Sequence, residues 1–227
     1  MIDHRVLVQA RMSSKRFPGK VLAPLAGRPL IAHTLSRICE VLPRDRIVLV
    51  TSEDETDDPL ATYVANELGI VVFRGSLNNV VERFQECLRA HPCKWFVRIC
   101  GDSPAIDPCL LSWMLERTSD VLDLLTNVAE RTFPPGESIE IVRASTFIGW
   151  KSKDLTSEER EHLTLHFYHH SDRYKIRNVY AVDPTASCRR LVVDTLDDLR
   201  SIEQIFATEP IITRGYVAYA RLGAEPT

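Results

Sequence analysis

The chain has no CxxC pair, no apolar stretch near the roughly 20 residues that a membrane span needs, and no large excess of charge of either sign. Each absence narrows the field. Six scattered cysteines (Cys39, Cys87, Cys93, Cys100, Cys109 and Cys188) lie mostly inside apolar periodic segments and read as free thiols in a reducing compartment. A net charge of −3 argues against a general nucleic-acid or membrane-surface binder, because both tasks need a cationic excess; any polyanion partner must be small. The opening MIDHRVLVQA lacks the apolar core and cleavage site of a secretory signal, so the expected compartment is the cytoplasm. Two nucleotide fingerprints are also missing, GxxxxGK[ST] and GxGxxG, which sets aside P-loop enzymes and dinucleotide-binding dehydrogenases. There is no internal repeat and no low-complexity segment.

What is present is alternation. With 227 residues and 44% hydrophobic content, the chain can bury one substantial core. Apolar runs of strand length (RVLVQA, RIVLVTS, IVVF, WFVRICGD) alternate with amphipathic runs of helix length (PLIAHTLSRICEVL, PLATYVANEL, NVVERFQECLRA), the pattern of a mainly parallel sheet with helices on both faces. Asp58-Pro59 and Asp107-Pro108 read as helix openings, and Thr156 with Glu159 as a capping box. The strand LVVD and the helix TLDDLRSIEQIFAT resume the alternation late in the chain, and a last helix is expected over residues 213–222. Residues 132–177 read as an inserted arm, long for a loop and rich in apolar residues, and so as the interface of a homodimer.

The loop after the first strand collects Arg11, Lys15, Arg16, Lys20 and Arg28 without a single acid. It leaves the C-terminal end of a sheet strand, where α/β folds place their ligands. Arginine forks and a lysine point charge match phosphate oxygens, and Pro18-Gly19 lets backbone amides approach them. Asp102 ends the strand VRIC, and Asp194 ends LVVD. Two carboxylates facing a cationic loop compose a site for a triphosphate and a hard divalent cation. Asp107, before Pro108, is assigned to a cap, and the acid run 53–58 to a solvated loop and helix start. Trp95, Trp113 and Trp150 are assigned to core or interface. His162, His166, His169 and His170 fall at helical spacing on one face, but HExxH is absent and no carboxylate or thiolate completes a metal set by sequence. These histidines are assigned to an arm helix facing a subunit or solvent.

The loop QARMSSKRFPGKVLAPLAGRPL resembles the opening signature of the cytidylyltransferases that activate acidic sugars, above all the spore coat polysaccharide biosynthesis (SpsF-type) branch. Acylneuraminate and ketodeoxyoctulosonate cytidylyltransferases are related. The likeness continues through TSEDETDDPL, FRGSLNNVVERF, VRICGDSPAIDP, FPPGESIEIV, REHLT and LVVDTLDDL. It implies a three-layer α/β/α nucleotide-diphospho-sugar transferase (GT-A-like) fold with a mainly parallel mixed sheet. It also implies attack of a sugar oxygen on the α-phosphorus of CTP, with release of pyrophosphate, in polysaccharide or glycan biosynthesis. By resemblance, Arg11 and Lys20 hold the triphosphate, with Arg16 a further basic position, and Asp102 and Asp194 hold Mg2+. Arg11, Lys20 and Asp102 are the expected catalytic set. Gln9 and Ala10 approach the base, Arg74 and Gly75 form a second nucleotide-side segment, and Glu140, Glu161 and His162 lie toward the acceptor sugar. Two positions depart from the family pattern: Pro135 stands where a basic residue is more usual, and Ser138 where an aspartate is. Both face the acceptor side. Two alternatives stay open: another nucleoside triphosphate used on a sugar phosphate, and a nucleotide-binding homologue with little or no turnover.

Overall fold

The computed structural model describes residues 3–182, 188–208 and 220–223. Its strands are β1 (His4–Gln9), β2 (Pro24–Leu25), β3 (Arg28–Pro29), β4 (Ile47–Ser52), β5 (Val71–Gly75), β6 (Trp95–Cys100), β7 (Leu124–Thr126), β8 (Glu140–Arg143), β9 (Ile176–Ala181) and β10 (Ala220–Leu222). Its α-helices are α1 (Leu30–Cys39), α2 (Asp58–Asn66), α3 (Val80–Ala90), α4 (Pro108–Leu115), α5 (Ala144–Ile148), α6 (Ser157–Glu161), α7 (Leu165–His169) and α8 (Leu196–Thr208). Eight strands make one sheet in the order β10-β9-β7-β8-β6-β1-β4-β5, while β2 and β3 form a small hairpin apart from it. β1 pairs in parallel with β4 and β6, β4 with β5, and β7 with β9; β8 is antiparallel to both its neighbours, and β10 to β9. The mainly parallel sheet expected from the alternation is therefore present, and it is mixed, as the resemblance implies.

Period-two side-chain alternation builds the three layers. Val6, Val8, Ile47, Leu49, Val97 and Ile99 point to one face and pack with Leu35 of α1, Leu60 of α2 and Leu110 of α4. Leu7, Val48, Val50 and Phe96 point to the other and meet Phe84 of α3, Phe147 of α5 and Phe167 of α7. Strands buried on both faces read as continuous apolar runs, which is what RVLV and RIVLV showed. All six cysteines are free. Trp95 is fully buried, and Trp150 packs on Phe147 and Phe167. Among the described residues no helix is long and apolar enough to cross a membrane.

Several local readings change. α2 begins at Asp58, with Asp57 as its N-cap, one residue earlier than the sequence indicated. Residues 161–170 are not one helix: the chain is extended at His162, so that Leu163 and Phe167 can both enter the core, and α6 and α7 are separate five-residue turns. The capping box of Thr156 and Glu159 does open α6. Residues 191–193, read as a strand, do not join the sheet. They are held one hydrogen bond at a time, Leu191 N–H to the Pro135 carbonyl at 2.7 Å and Val193 N–H to the Asp102 carbonyl at 3.0 Å. Most of the closing helix expected over 213–222 falls outside the described residues, and its end, Ala220–Leu222, is strand β10. The segment 132–177 supplies β8 to the interior of the sheet, between β7 and β6, and then α5 to α7 over the α3 face.

Glu137, beside β8, is fully buried; one carboxylate oxygen accepts the Asp107 N–H at 2.7 Å and the other has no partner. Burial raises its pKa well above the ordinary 4.5; the Asp107 N–H opposes the shift, while the nearby Asp107 carboxylate adds to it. A carboxyl held neutral by the fold supports the folded state fully below its unfolded pKa. That support is lost as pH rises from there toward the raised folded value, at about 1.4 kcal/mol per pH unit. Glu137→Gln should therefore flatten the fall in unfolding free energy between pH 5 and pH 8. Denaturant titrations at both pH values would show it, and an identical slope in variant and wild type would refute it.

Candidate functional site

The strand order reverses at β1: the chain runs outward through β4 and β5, then returns to place β6 on the other side of β1. Such a reversal opens a crevice at the carboxyl ends of the two central strands. Here those ends are Gln9 and Ala10 after β1, and Gly101 and Asp102 after β6. The two loops touch closely: Gly101 N–H donates to the Gln9 carbonyl at 2.8 Å, and a β-carbon on Gly101 would stand 2.7 Å from both Ala10 Cβ and Ile31 Cδ1. Only glycine fits there.

A cleft of about 340 Å³ lies on this edge, lined by Gln9, Ala10, Arg11, Ser14, Lys15, Arg16, Lys20, Val21, Arg83, Cys100, Asp102 and Glu161. The loop that supplies most of its charge is closed by the Gly19 N–H on the Met12 carbonyl at 2.8 Å, with Gly19 at a φ of +74°. Its base is anchored by Asp57, which takes the Met12 N–H at 2.6 Å, the Thr51 hydroxyl at 2.8 Å and the Ser52 N–H at 3.0 Å. Asp57 is fully buried. The acid run read as a solvated loop thus contains the anchor of the cationic loop; nothing in its sequence distinguishes Asp57 from its exposed neighbours.

Lys20 turns inward on a short 3-10 turn, Lys20–Leu22. Its ammonium donates to Asp102 Oδ2 at 2.6 Å, to the Val193 carbonyl at 2.8 Å and to Asp194 Oδ1 at 3.0 Å. Burial alone would lower its pKa; the two carboxylates outweigh burial and raise it. Arg16 reaches the same Asp194 oxygen at 2.9 Å, and Arg190 holds the other at 2.6 Å. Burial works to raise the pKa of Asp194, but these cations overcome it and keep the group below its ordinary range. The backbone of Asp194 is fixed by the start of α8, where Asp198 accepts the N–H groups of Asp194 and Thr195, each at 2.9 Å. Asp194 arrives at the site from the residue just before the cap of α8, then, and not from a strand end. Asp102 Oδ1 is buried without a hydrogen-bond partner.

The structure brings Gln9, Ala10, Arg11, Arg16, Lys20, Asp102 and Glu161 to one cleft, with Asp194 joined to it through Lys20 and Arg16. Other expected residues lie elsewhere. The Arg74 guanidinium binds the Ser52 and Asp54 carbonyls, each at 2.9 Å, and Asp58 at 2.6 Å, tying β5 to the loop before α2. Gly75 is close-packed under Arg83, whose Cγ would be 3.0 Å from an added β-carbon. Glu140 is buried, ion-paired with Arg98 at 2.6 Å and bound by the Tyr168 hydroxyl at 2.6 Å; Arg98 also donates to Gln9 at 3.1 Å. His162 is exposed at the end of α6.

Arg83 was missed by sequence. It lines the cleft from α3 although it is 1% exposed; NH1 donates to the Ser76 carbonyl at 3.0 Å, and Nε has no partner. Burial draws its pKa down to about 10, opposed by Asp57 and reinforced by Arg11. The available signal was its place in NVVERFQECL, three residues after Val80 and four before Cys87, on the buried stripe of the helix.

Basic side chains against paired carboxylates, at the switch point of a mainly parallel sheet, suit the handling of nucleotide phosphates, and the fold and cleft define a nucleotidyltransferase class. Within that class the chain belongs to the cytidylyltransferase family, whose profile matches residues 5–215. It is 33% identical over 212 residues to the spore coat polysaccharide biosynthesis protein SpsF of Bacillus subtilis (strain 168), covering 91% of this chain and 87% of that one. A solved cytidylyltransferase from Leptospira borgpetersenii serovar Hardjo-bovis (strain JB197) superposes with a TM-score of 0.88 at 27% identity, covering 96% of this chain and 92% of the other. A CMP:2-keto-3-deoxy-manno-octonic acid synthetase solved with CTP shares the fold, with a TM-score of 0.67 at 17% identity over 91% of this chain and 99% of its own.

Proposed function

We propose that this chain transfers CMP from CTP to an acidic sugar, releasing pyrophosphate, with Mg2+ held by Asp102 and Asp194. The observation that carries the reading is the convergence of Lys20, Asp102 and Asp194 beside a cleft of exposed cations. The unpartnered, buried Asp102 Oδ1 fits a hard cation, since a desolvated carboxylate oxygen without a partner is costly and oxygen donors are what Mg2+ prefers. Bound there, the ion would neutralise charge on the phosphates that share it. Arg11, Lys15 and Arg16 bind and orient the triphosphate, and Lys20 supplies positive charge where the leaving pyrophosphate gains electrons. No nucleophilic side chain is required, because the sugar oxygen attacks directly. The partners are thus CTP and a small sugar, with no nucleic acid and no membrane. Residues 132–177 are retained as the homodimer contact; a monomer in sedimentation at micromolar concentration would overturn that part.

The deciding experiment measures pyrophosphate release from CTP, GTP, UTP and ATP, each with a panel of acidic sugars and sugar phosphates. Turnover confined to CTP and acidic sugars is expected. Release from another triphosphate, or CTP binding without turnover across the panel, would replace the reading with one of its alternatives.

Arg83 provides a second check. Arg83→Met keeps most of the packed stem and removes the charge, so CTP affinity should fall at least about tenfold, the loss of one charge-assisted hydrogen bond, while thermal stability holds or rises. Calorimetric titration with an unchanged CTP affinity would assign Arg83 to packing alone.

A further inference from the structure

We propose that Glu159, His166 and His170 form a zinc site separate from the nucleotide cleft, one that staples α6 to α7. The donor atoms of these three residues lie within 4.8 Å of one another. Glu159 Oε1 stands 3.2 Å from His166 Nδ1 and 3.6 Å from His170 Nε2. Ligand atoms at zinc–nitrogen and zinc–oxygen distances of about 2.0–2.1 Å in a tetrahedron are about 3.3 Å apart, close to the two separations from Glu159 Oε1, while the two imidazole nitrogens lie within 4.8 Å of each other. None of the three lines the nucleotide cleft.

The surroundings orient the donors. Glu159 is 2% exposed, and its other oxygen is held by the Thr156 N–H at 2.9 Å in the capping box, which leaves Oε1 aimed at the imidazoles. The His166 ring is fixed against Trp150, with centroids 4.7 Å apart, and against His170 at 4.5 Å. Packing on Trp150 restricts the orientation of the His166 ring before any metal arrives. Two imidazole nitrogens and one carboxylate oxygen select zinc over magnesium, which prefers oxygen and water. The partly exposed His170 side leaves the fourth position to water. His169 Nδ1 lies 3.1 Å from the same oxygen, and serves it as a hydrogen-bond donor. Helices of five residues have little stability alone, so a cross-link between them has a structural use.

The test uses the untagged full chain, stripped with chelator and titrated with zinc under reducing conditions. One zinc per chain is expected, accompanied by a rise in melting temperature. His170→Ala should weaken binding at least about tenfold and abolish the thermal shift, while His169→Ala should retain both. His170→Asn serves if the alanine variant folds poorly. Cobalt titration of the wild type should give visible bands of a tetrahedral site without the near-ultraviolet band of thiolate ligation, which excludes the exposed Cys109 and Cys188. No zinc uptake, uptake unaltered by both His170 substitutions, or a cobalt spectrum with thiolate character would each overturn the proposal. Pyrophosphate release is not the readout, so its failure and that of the proposed transferase reaction are distinguishable.

Discussion

Asp102→Asn is expected to lower CTP turnover by about 100- to 1000-fold while leaving the fold intact. The substitution keeps the side chain's shape and one oxygen for Lys20, but removes the charge. Lys20 would still face Asp194 at 3.0 Å, so the buried ammonium is not abandoned and the stability cost stays small. On the proposed reading the substitution removes a carboxylate that would hold Mg2+, and so weakens the cation that would offset charge on the departing pyrophosphate; losing one such electrostatic element typically costs about two to three orders of magnitude in rate. Turnover measured across a magnesium series would separate this role from a structural one. The variant should show a lower kcat and a flattened magnesium dependence. A kcat close to wild type, with the same magnesium response, would take Asp102 out of the reaction.

Gly136→Ala should be the most damaging alanine substitution among the described glycines. Gly136 has a φ of +110°, and a β-carbon there would stand 2.3 Å from the carbonyl carbon of Leu191 and 2.4 Å from its oxygen. Those are backbone atoms and cannot swing aside. Strain at that φ and the overlap together should cost about 3 kcal/mol or more, a drop of about 6–12 °C in melting temperature for a chain of this size. The damage should also reach the cleft. Leu191 begins the segment that is bonded to Pro135 and Asp102 and delivers Asp194 to Lys20. CTP affinity should fall together with stability. Gly149→Ala is the control, because Gly149 has a right-handed backbone and its nearest neighbour, the Thr146 carbonyl oxygen, would be 3.3 Å away. Equal melting temperatures for the two variants would show that residues 191–194 are not held as described.

The alternation of apolar strands and amphipathic helices established the layered sheet, because a strand covered on both faces leaves a continuous apolar run that a helix does not. The loop from Arg11 to Arg28 was legible for a similar reason: five cations without an acid have no folding use, and their place after a strand points to a ligand. Asp102 was found by the same rule. These are local properties, written in neighbouring residues. Arg83, Asp57 and the set of Glu159 with His166 and His170 were not found, since each depends on what lies opposite in space. Asp57 looks like any other acid in its run until Met12 and Ser52 close over it. Glu159 looks like a capping residue, and it is one; that it also meets three imidazoles results from the break at His162.

Composition, periodicity and charge order thus determined the layered fold class and the cationic edge, since backbone propensity and burial act over a few residues at a time, while the family was legible only through the resemblance of its motif segments. Tertiary structure decided which carboxylates share an ammonium, which arginine enters the cleft from behind, and which strand-like segment stays out of the sheet. Those outcomes depend on distances between segments far apart in the chain, and hydrogen bonding and Coulomb forces respond to separation in space, which sequence order does not record.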